Sequence, residues 1–241
     1  MPTVKVVANP SKGDGMPESM QKRVRTHLDH GRACLDKGKY DGAIADYDEA
    51  IALDQNVATA YYNRGDAYYE KGDYDRAIVD WTKAIAIDRN YATAYTSRGL
   101  AYARKGAFDR AIADYDKAIA LDPKYAFAYT SRGLACGRKG EYGRAIADYT
   151  KAIALDTNDA RAYANRGLAY KKKGEVDRAI ADYTKAIALN PNYALAYYNR
   201  GNAYEKKGDK EQAIADFRKA LEIDPSDQDA KNKLKRLDVT P

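Results

Sequence analysis

The chain has 241 residues, of which 32% are charged, and it carries a formal net charge of +6. No apolar run approaches the roughly 20 residues that a membrane-spanning helix needs, and the first residues hold no apolar core of signal-peptide length. Because the chain has only two cysteines, a disulfide-rich scaffold is excluded as well. We therefore expect a soluble, cytoplasmic protein.

Residues 1–16 combine Pro, Ser, Gly and Asp and show no helical periodicity, so we interpret them as a disordered arm or a tag. Pro17 follows directly and is suited to the first turn of a helix. The sequence therefore predicts that the repeat region spans 17–227, with its first helix beginning near Pro17.

A period of 34 residues organises the chain from here on. A glycine recurs at this spacing six times, and an alanine recurs in step with it. The glycines are Gly31, Gly65, Gly99, Gly133, Gly167 and Gly201. A fixed period of this length indicates a stacked repeat array rather than a globular enzyme. The six repeats, numbered internally from position 1 to 34, are 24–57, 58–91, 92–125, 126–159, 160–193 and 194–227.

Apolar residues at spacings of three and four predict two amphipathic helices in each repeat. In repeat 58–91, the small residues Gly65 and Ala77 allow these two helices to approach closely. Between the helices, Gly72 suits a left-handed helix end and Asp73 suits the cap of the next helix. Each repeat is therefore predicted to be a helix A, a tight turn and a helix B.

This pattern resembles the tetratricopeptide repeat (TPR) family, whose 34-residue motif runs Trp-x2-Leu-Gly-x2-Tyr, then Ala-x3-Phe, then Pro. The third repeat reads Tyr95-x2-Arg98-Gly99-x2-Tyr102, Ala111-x3-Tyr115 and Pro123. Tyrosine thus replaces the family's Trp and Phe, and arginine replaces its Leu. The resemblance implies an all-α fold, a right-handed superhelical α-solenoid of stacked antiparallel helix pairs, followed by a C-terminal capping helix at 228–238.

Position 7 is arginine in repeats two to six, and position 23 is aspartate in every repeat. We predict a ladder of partly buried ion pairs between helix A and helix B, because a guanidinium group can bind a carboxylate through two parallel hydrogen bonds. The alternative is that these arginines line a ligand groove. The arginines are Arg64, Arg98, Arg132, Arg166 and Arg200.

In TPR proteins the concave surface is built mainly from the A helices, and the resemblance implies the same for positions 5, 6 and 9 here. Asn and Ser at position 6 can donate to and accept from a peptide backbone, which predicts a polar ladder for an extended peptide. The alternative is that they are solvated helix residues. The candidate groove residues are Asn63, Asn165, Asn199, Ser97, Ser131, Tyr62, Tyr198, Asn202, Asp66, Leu100, Leu134 and Leu168.

Basic residues concentrate in repeats four and five, where they could orient a partner that has an acidic segment. Lysines at a helix C-terminus need no ligand, which leaves a purely local role open. The patch comprises Arg138, Lys139, Arg161, Lys171 and Lys172. Position 5 is never lysine, so we do not expect the clamp by which chaperone-binding TPR domains hold a C-terminal carboxylate.

The sequence contains no phosphate loop, nucleophile motif or paired-cysteine cluster, so we expect no catalysis, cofactor or metal. His27 and His30 could share a helical face and bind a metal weakly, but we expect no cysteine or carboxylate to complete a site. Cys34 and Cys136 both occupy position 11, three repeats apart. They are expected to be buried free thiols, because stacked repeats hold them beyond disulfide distance.

The preferred function is a non-enzymatic scaffold that binds an extended peptide segment of an unidentified protein partner in the groove of A helices. Self-association is an alternative, because the open ends of an array can stack. The shared segment YTSRGLA in repeats three and four also fits an engineered, consensus-like scaffold. Binding of nucleic acid through the basic surface is less favoured, because RNA-binding pentatricopeptide repeats have a 35-residue period and lack this Gly/Ala/Tyr pattern.

Overall fold

The structure, a computed structural model, describes residues 16–237. Within that range the regular elements are all α-helices, and none of them is both long and apolar enough to cross a lipid bilayer. The helices are α1 (Glu18–Asp36), α2 (Tyr40–Leu53), α3 (Ala58–Glu70), α4 (Tyr74–Ile87), α5 (Ala92–Arg104), α6 (Phe108–Leu121), α7 (Ala126–Arg138), α8 (Tyr142–Leu155), α9 (Ala160–Lys173), α10 (Val176–Leu189), α11 (Ala194–Lys207), α12 (Lys210–Ile223) and α13 (Gln228–Arg236).

The predicted all-α array of helix pairs is confirmed. The odd-numbered helices α1 to α11 are the A helices, and each packs against the B helix that follows it, α2 to α12. The chain divides into two compact units, Met1–Pro123 and Lys124–Pro241. Unit 1 contains α1 to α6 and unit 2 contains α7 to α13. Inside each unit, the B helix of one repeat also packs against the A helix of the next.

The turn between helix A and helix B forms as the sequence predicts. Gly72 adopts a left-handed conformation with φ of +81°, and the equivalent glycine in each of the remaining five repeats also has a positive φ. Asp73 caps α4 by accepting a hydrogen bond from the backbone N–H of Arg76 at 3.0 Å. Because the left-handed region is strained for other residue types, glycine is the residue that allows this reversal.

The expected N-terminal arm lies outside the described residues except for Met16, which is packed on the first two repeats. Met16 packs against the buried side chains of Val24, Ala50 and Ala60. Pro17 is the N-cap residue of α1, in agreement with the predicted helix start.

Helix α13 packs on α12 at the other end of unit 2. Its apolar stripe places Ala230 and Leu234 at full burial, and Leu237 lies against the same cluster as Phe217. The helix ends at Arg236, and residue 238 of the expected capping helix lies outside the described residues. Without α13, the outer side of α12 would expose this apolar surface to water.

Close packing of helix A on helix B explains the glycine at position 8. A Cβ atom at Gly167 would lie 3.0 Å from Cε1 of Tyr183 and 3.2 Å from the backbone oxygen of Ala179. At Gly65 the corresponding ring is Trp81, with its Nε1 at 2.8 Å from the same virtual atom. The aromatic side chain of helix B therefore occupies the volume that any larger residue on helix A would need.

We predict that Gly167→Ala destabilises the protein by about 1–3 kcal/mol, because the added methyl group meets a buried ring and a backbone atom. Gly143→Ala is the matched control, since a Cβ atom there meets nothing within 4 Å and alanine favours the helix. Urea denaturation of the two variants checks this. Equal unfolding midpoints for the two variants would show that the space between helix A and helix B at Gly167 can accept a methyl group without loss of stability.

Candidate functional site: the A-helix faces

The A helices lie side by side within each unit, α1 with α3 and α5 in unit 1, and α7 with α9 and α11 in unit 2. Positions 2, 5, 6 and 9 follow each other at intervals of one, three or four residues and share one side of a helix. We call the surface formed by these positions the A-helix face of the unit. It contains all the groove residues that the sequence predicted.

The predicted ladder of arginine–aspartate pairs is confirmed. In each pair the guanidinium group binds the aspartate of the following B helix. Arg64 donates from Nε to Oδ2 of Asp80 at 2.8 Å and from Nη2 to Oδ1 at 2.6 Å. The same bidentate geometry recurs in Arg98–Asp114, Arg132–Asp148, Arg166–Asp182 and Arg200–Asp216. The aspartate side chains are 4–9% exposed. These hydrogen bonds raise the pKa of Arg64 above its ordinary value, which keeps the guanidinium charged.

Four of these arginines also tie neighbouring repeats of the same unit together. Nη1 of Arg200 donates to Oγ1 of Thr184 on the preceding B helix at 2.9 Å. The equivalent bonds run from Arg64 to Asp48, from Arg98 to Thr82 and from Arg166 to Thr150. Each of these arginines therefore joins three helices, its own A helix and the two B helices beside it. We call this arrangement the arginine clamp.

We predict that Arg166→Ala lowers the free energy of unfolding by about 3–5 kcal/mol, because Asp182 would remain as a buried charge without its partner. Lys207→Ala is the control, since the Lys207–Asp177 pair is exposed on both sides and such pairs contribute under about 1 kcal/mol. Thermal unfolding of both variants provides the measurement. A melting temperature for Arg166→Ala that matches the control would contradict a buried clamp.

The A-helix face of unit 1 is largely closed by its own side chains. The rings of Tyr62 and Tyr91 stack with centroids 4.9 Å apart, and the Tyr62 hydroxyl lies 3.4 Å from Oγ of Ser97. The indole N–H of Trp81 donates to Oδ1 of Asp66 at 3.2 Å. Tyr91 belongs to position 34, which the sequence analysis did not include among the groove residues.

Asp66 is the most perturbed carboxyl group on this face. Burial raises the pKa of Asp66 to about 7, against the opposing effects of the Trp81 indole N–H, the charge of Arg32 and the Tyr62 hydroxyl. Glu70 on the same helix adds to the upward shift. The carboxyl group therefore changes its charge near neutral pH, and the A-helix face of unit 1 changes with it.

This pKa gives a pH dependence with a definite sign. Because the folded pKa of Asp66 lies above its unfolded value of 3.8, the folded state binds the proton more tightly, and stability falls as the pH rises from that value until the loss is complete just above pH 7. We predict that Asp66→Asn removes this loss, on the order of 2 kcal/mol after allowance for the open surface. Urea midpoints of both proteins at pH 5 and pH 8 test this. Parallel pH profiles would contradict it.

The A-helix face of unit 2 is apolar and open. Leu134 on α7 is 49% exposed, and Leu168 at the same position of α9 is 37% exposed. Phe127 and Leu195, at position 2 of their helices, are also exposed. Large apolar side chains that share a surface in this way mark interaction sites more often than isolated ones do.

One member of the basic patch, Lys171, contacts a residue of the A-helix face and differs from the others in this respect. Lys171 is half-buried and its Nζ lies 3.4 Å from Oδ1 of Asn199. Its pKa is lowered by burial and by the charges of Lys172, Lys233 and Lys206. Of these lysines, Lys233 is itself paired with Glu205 at 2.6 Å.

The remaining members of the basic patch are less distinctive. Lys139 pairs with Glu141 at 2.7 Å, and Arg161 lies 4.0 Å from Asp159. Lys172 and Arg138 are exposed. These four side chains resemble ordinary solvated charges. Lys171 is the member of the patch that is half-buried and contacts the A-helix face.

The polar series at position 6 is less uniform than the sequence suggested. Asn63 and Ser131 are only 6% and 7% exposed, whereas Asn165 and Asn199 are partly open. Ser97 is also partly open but lies against Tyr62. Neighbouring side chains cover the two buried residues, so the accessible part of the series is concentrated in unit 2.

Two further groove candidates are occupied by local contacts. The ring of Tyr198 packs against Phe217 with centroids 5.8 Å apart. The amide of Asn202 donates to the backbone oxygen of Tyr198 at 2.9 Å. Leu100 is half-buried in unit 1. These residues shape the surface more than they offer free hydrogen-bonding groups.

The first repeat departs from the predictions in two respects. The expectation that no cysteine or carboxylate stands beside the histidines is wrong, because Cys34 and Asp46 lie within ligand distance of His30. Cys136 is a buried free thiol as predicted, but Cys34 is only partly buried. Its sulfur faces Gly42, which has no side chain to cover it.

The model of the TPR repeat matches residues 31–72, 65–106, 99–140, 138–174 and 169–208. A second model, described as tetratricopeptide repeat, matches 194–227. The chain belongs to the tetratricopeptide repeat family. No curated protein sequence matches the chain.

Solved structures of the family are similar to this TPR chain. A crystal structure of MamA is 37% identical, covers 70% of this chain and 96% of its own, and has a TM-score of 0.63. YrrB, described as a TPR protein with an unusual peptide-binding site, is 25% identical over 78% of this chain and 97% of its own, with a TM-score of 0.66. PilF of Pseudomonas aeruginosa shares the fold at 15% identity, with a TM-score of 0.78 over 91% of this chain and 100% of its own.

Proposed function

We propose that this TPR protein is a non-enzymatic scaffold that binds an extended peptide segment of a partner protein on an A-helix face. The fold is one whose members mediate protein–protein interaction, and YrrB is a similar protein with a peptide-binding site. The A-helix face of unit 2 is the preferred surface. It is the face that combines exposed apolar side chains with accessible polar ones.

The observation that carries this proposal is the position of Lys171. Burial and the charges of nearby lysines disfavour the charged form of Lys171, so an anion that binds near its ammonium group would be stabilised there. The neighbouring amide of Asn199 lies at 3.4 Å from Nζ and can contribute a further hydrogen bond to the same ligand. An acidic side chain or a terminal carboxylate of a peptide has the chemistry that this place requires.

The apolar side chains supply the rest of the recognition. Leu134 and Leu168 would bury apolar residues of the peptide, at about 25 cal/mol for each Å² removed from water. The amide of Asn165 can pair with the peptide backbone irrespective of its sequence. The proposed partner segment is therefore extended, contains leucine-like residues and carries a carboxylate at one end of the apolar stretch.

Two further statements belong to the same proposal. The free thiols of Cys34 and Cys136 are consistent with a reducing compartment such as the cytoplasm. The binding site uses no cofactor, because hydrogen bonding, charge and apolar contact are sufficient for peptide recognition. If the bound segment belongs to a second copy of the chain, the same surface mediates self-association.

Selection from a displayed library of random ten-residue peptides tests the proposal. We expect enrichment of sequences that combine large apolar residues with Asp or Glu. With the best enriched peptide carrying a fluorophore, polarisation should show that Lys171→Ala weakens binding by about 10–100-fold, because a hydrogen bond to a charged group is lost. Leu168→Ser should weaken it as well.

Val79→Ser is the matched control, since Val79 is 63% exposed but lies on the B helix α4. It should leave the affinity unchanged. Equal binding by all three variants would remove the A-helix face of unit 2 from the proposal. Enrichment of basic peptides would contradict the role of Lys171.

A further inference from the structure

The hairpin of α1 and α2 brings four potential metal ligands together. Nδ1 of His30 lies 2.5 Å from Oδ2 of Asp46, and Nδ1 of His27 lies 3.4 Å from the other carboxylate oxygen. The sulfur of Cys34 joins His30 and Asp46 in a group whose ligand atoms all lie within 4.8 Å of one another. Nitrogen, sulfur and oxygen donors thus converge from two packed helices.

This cluster stands where the other repeats have the arginine clamp. His30 occupies position 7 and Asp46 occupies position 23, the places of the paired arginine and aspartate in repeats two to six. An arginine satisfies both carboxylate oxygens with its own N–H groups. In the first repeat two imidazole rings take its place, and imidazole and carboxylate groups are both metal ligands.

We propose that His30, Cys34 and Asp46 form a binding site for a divalent transition metal, and that zinc is the ion that best fits this set. Zinc accepts imidazole nitrogen, thiolate sulfur and carboxylate oxygen in tetrahedral geometry. With bonds of about 2.0–2.3 Å, its ligand atoms are separated by roughly 3.3–3.7 Å. The three ligand atoms, which all lie within 4.8 Å of one another, are already close to these separations.

His27 has a supporting place in this arrangement. It contacts the carboxylate oxygen of Asp46 that does not face His30, and a hydrogen bond of this kind fixes the orientation of a ligating carboxylate. The side chain of His30 is 68% exposed, which leaves an open path for the ion. Binding releases the thiol proton of Cys34, since thiolate is the ligating form.

Repeat four provides an internal comparison. Cys136 and Asp148 occupy the positions of Cys34 and Asp46, but position 7 is Arg132, which donates to both oxygens of Asp148 at 2.6 and 3.0 Å. A carboxylate held in this way by a permanent cation is not available to a metal. Between these two repeats, which both have cysteine at position 11, the identity of position 7 therefore decides whether the carboxylate is available to the ion.

The experiment uses the full-length chain with any affinity tag removed and metal stripped by a chelator. Titration with Co²⁺ should produce a thiolate-to-cobalt charge-transfer absorption that saturates at one ion per chain, and Zn²⁺ should displace it. Zn²⁺ should also raise the melting temperature, because it binds only the folded site. Absence of the sulfur-dependent absorption would overturn the proposal.

The decisive variant is His30→Arg, which introduces the residue of the other repeats and can form the clamp with Asp46. It should fold at least as stably as the wild type while losing the cobalt absorption and the zinc-dependent stabilisation. Undiminished metal binding by this folded variant would overturn the assignment. His27→Tyr, which introduces the residue common at position 4, should retain binding with an affinity lower by about 10–100-fold.

Transfer of the site gives a gain-of-function test. In the His30→Arg background, Arg132→His should restore binding of one Co²⁺ ion per chain in repeat four. That binding should disappear when Cys136 is changed to Ser. A folded double variant that binds no ion would contradict the claim that position 7 decides the site.

Discussion

The arginine clamp is the interaction on which the order of the array depends. Nonpolar packing holds helix A against helix B, but alanine, tyrosine and isoleucine recur so regularly that apolar contact alone distinguishes poorly between neighbours. A guanidinium group with three directed donors requires particular acceptors on two B helices, as Arg166 shows with Asp182 and Thr150. The clamp therefore specifies register as well as contributing stability, because a slipped pairing would leave buried aspartates unpaired.

The two units use one scaffold for different surfaces. In unit 1, Tyr62, Asp66 and Trp81 satisfy one another and leave a closed polar surface. In unit 2, the position-9 residues Leu134 and Leu168 are exposed, whereas Leu100 at the same position of unit 1 is half-buried. Position 9 changes freely because the clamp and the position-8 glycine lie elsewhere on the helix. Structural and recognition residues are thus separated on the same A helix, which allows the surface to change while the fold is kept.

The features that sequence reasoning predicted well are those that repeat. The Gly72 turn and the arginine ladder follow from spacing and simple chemistry, so one repeat predicts the turn in all six repeats and the ion pair in the five that have the arginine. The features it missed depend on neighbours that differ between repeats. Asn63 and Asn165 occupy equivalent positions but differ in exposure. The raised pKa of Asp66 depends on its burial among side chains that its equivalents in other repeats do not have, and the indole N–H of Trp81 opposes the shift. The cluster at His30 could have been predicted from the sequence, because the ladder pairs position 7 with position 23 and therefore places Asp46 opposite His30.

The backward reach of the clamp has a consequence for the evolution of array length. Four of the arginines, Arg64, Arg98, Arg166 and Arg200, find a third acceptor on the repeat that precedes them, so a 34-residue segment can be duplicated or lost within a unit without leaving these clamps incomplete. The terminal repeats are not interchangeable in this way. The first has His30 in place of the arginine, and the last has Arg218 where Thr184 serves as acceptor one repeat earlier. Growth by internal duplication would preserve both ends and change only the number of central modules.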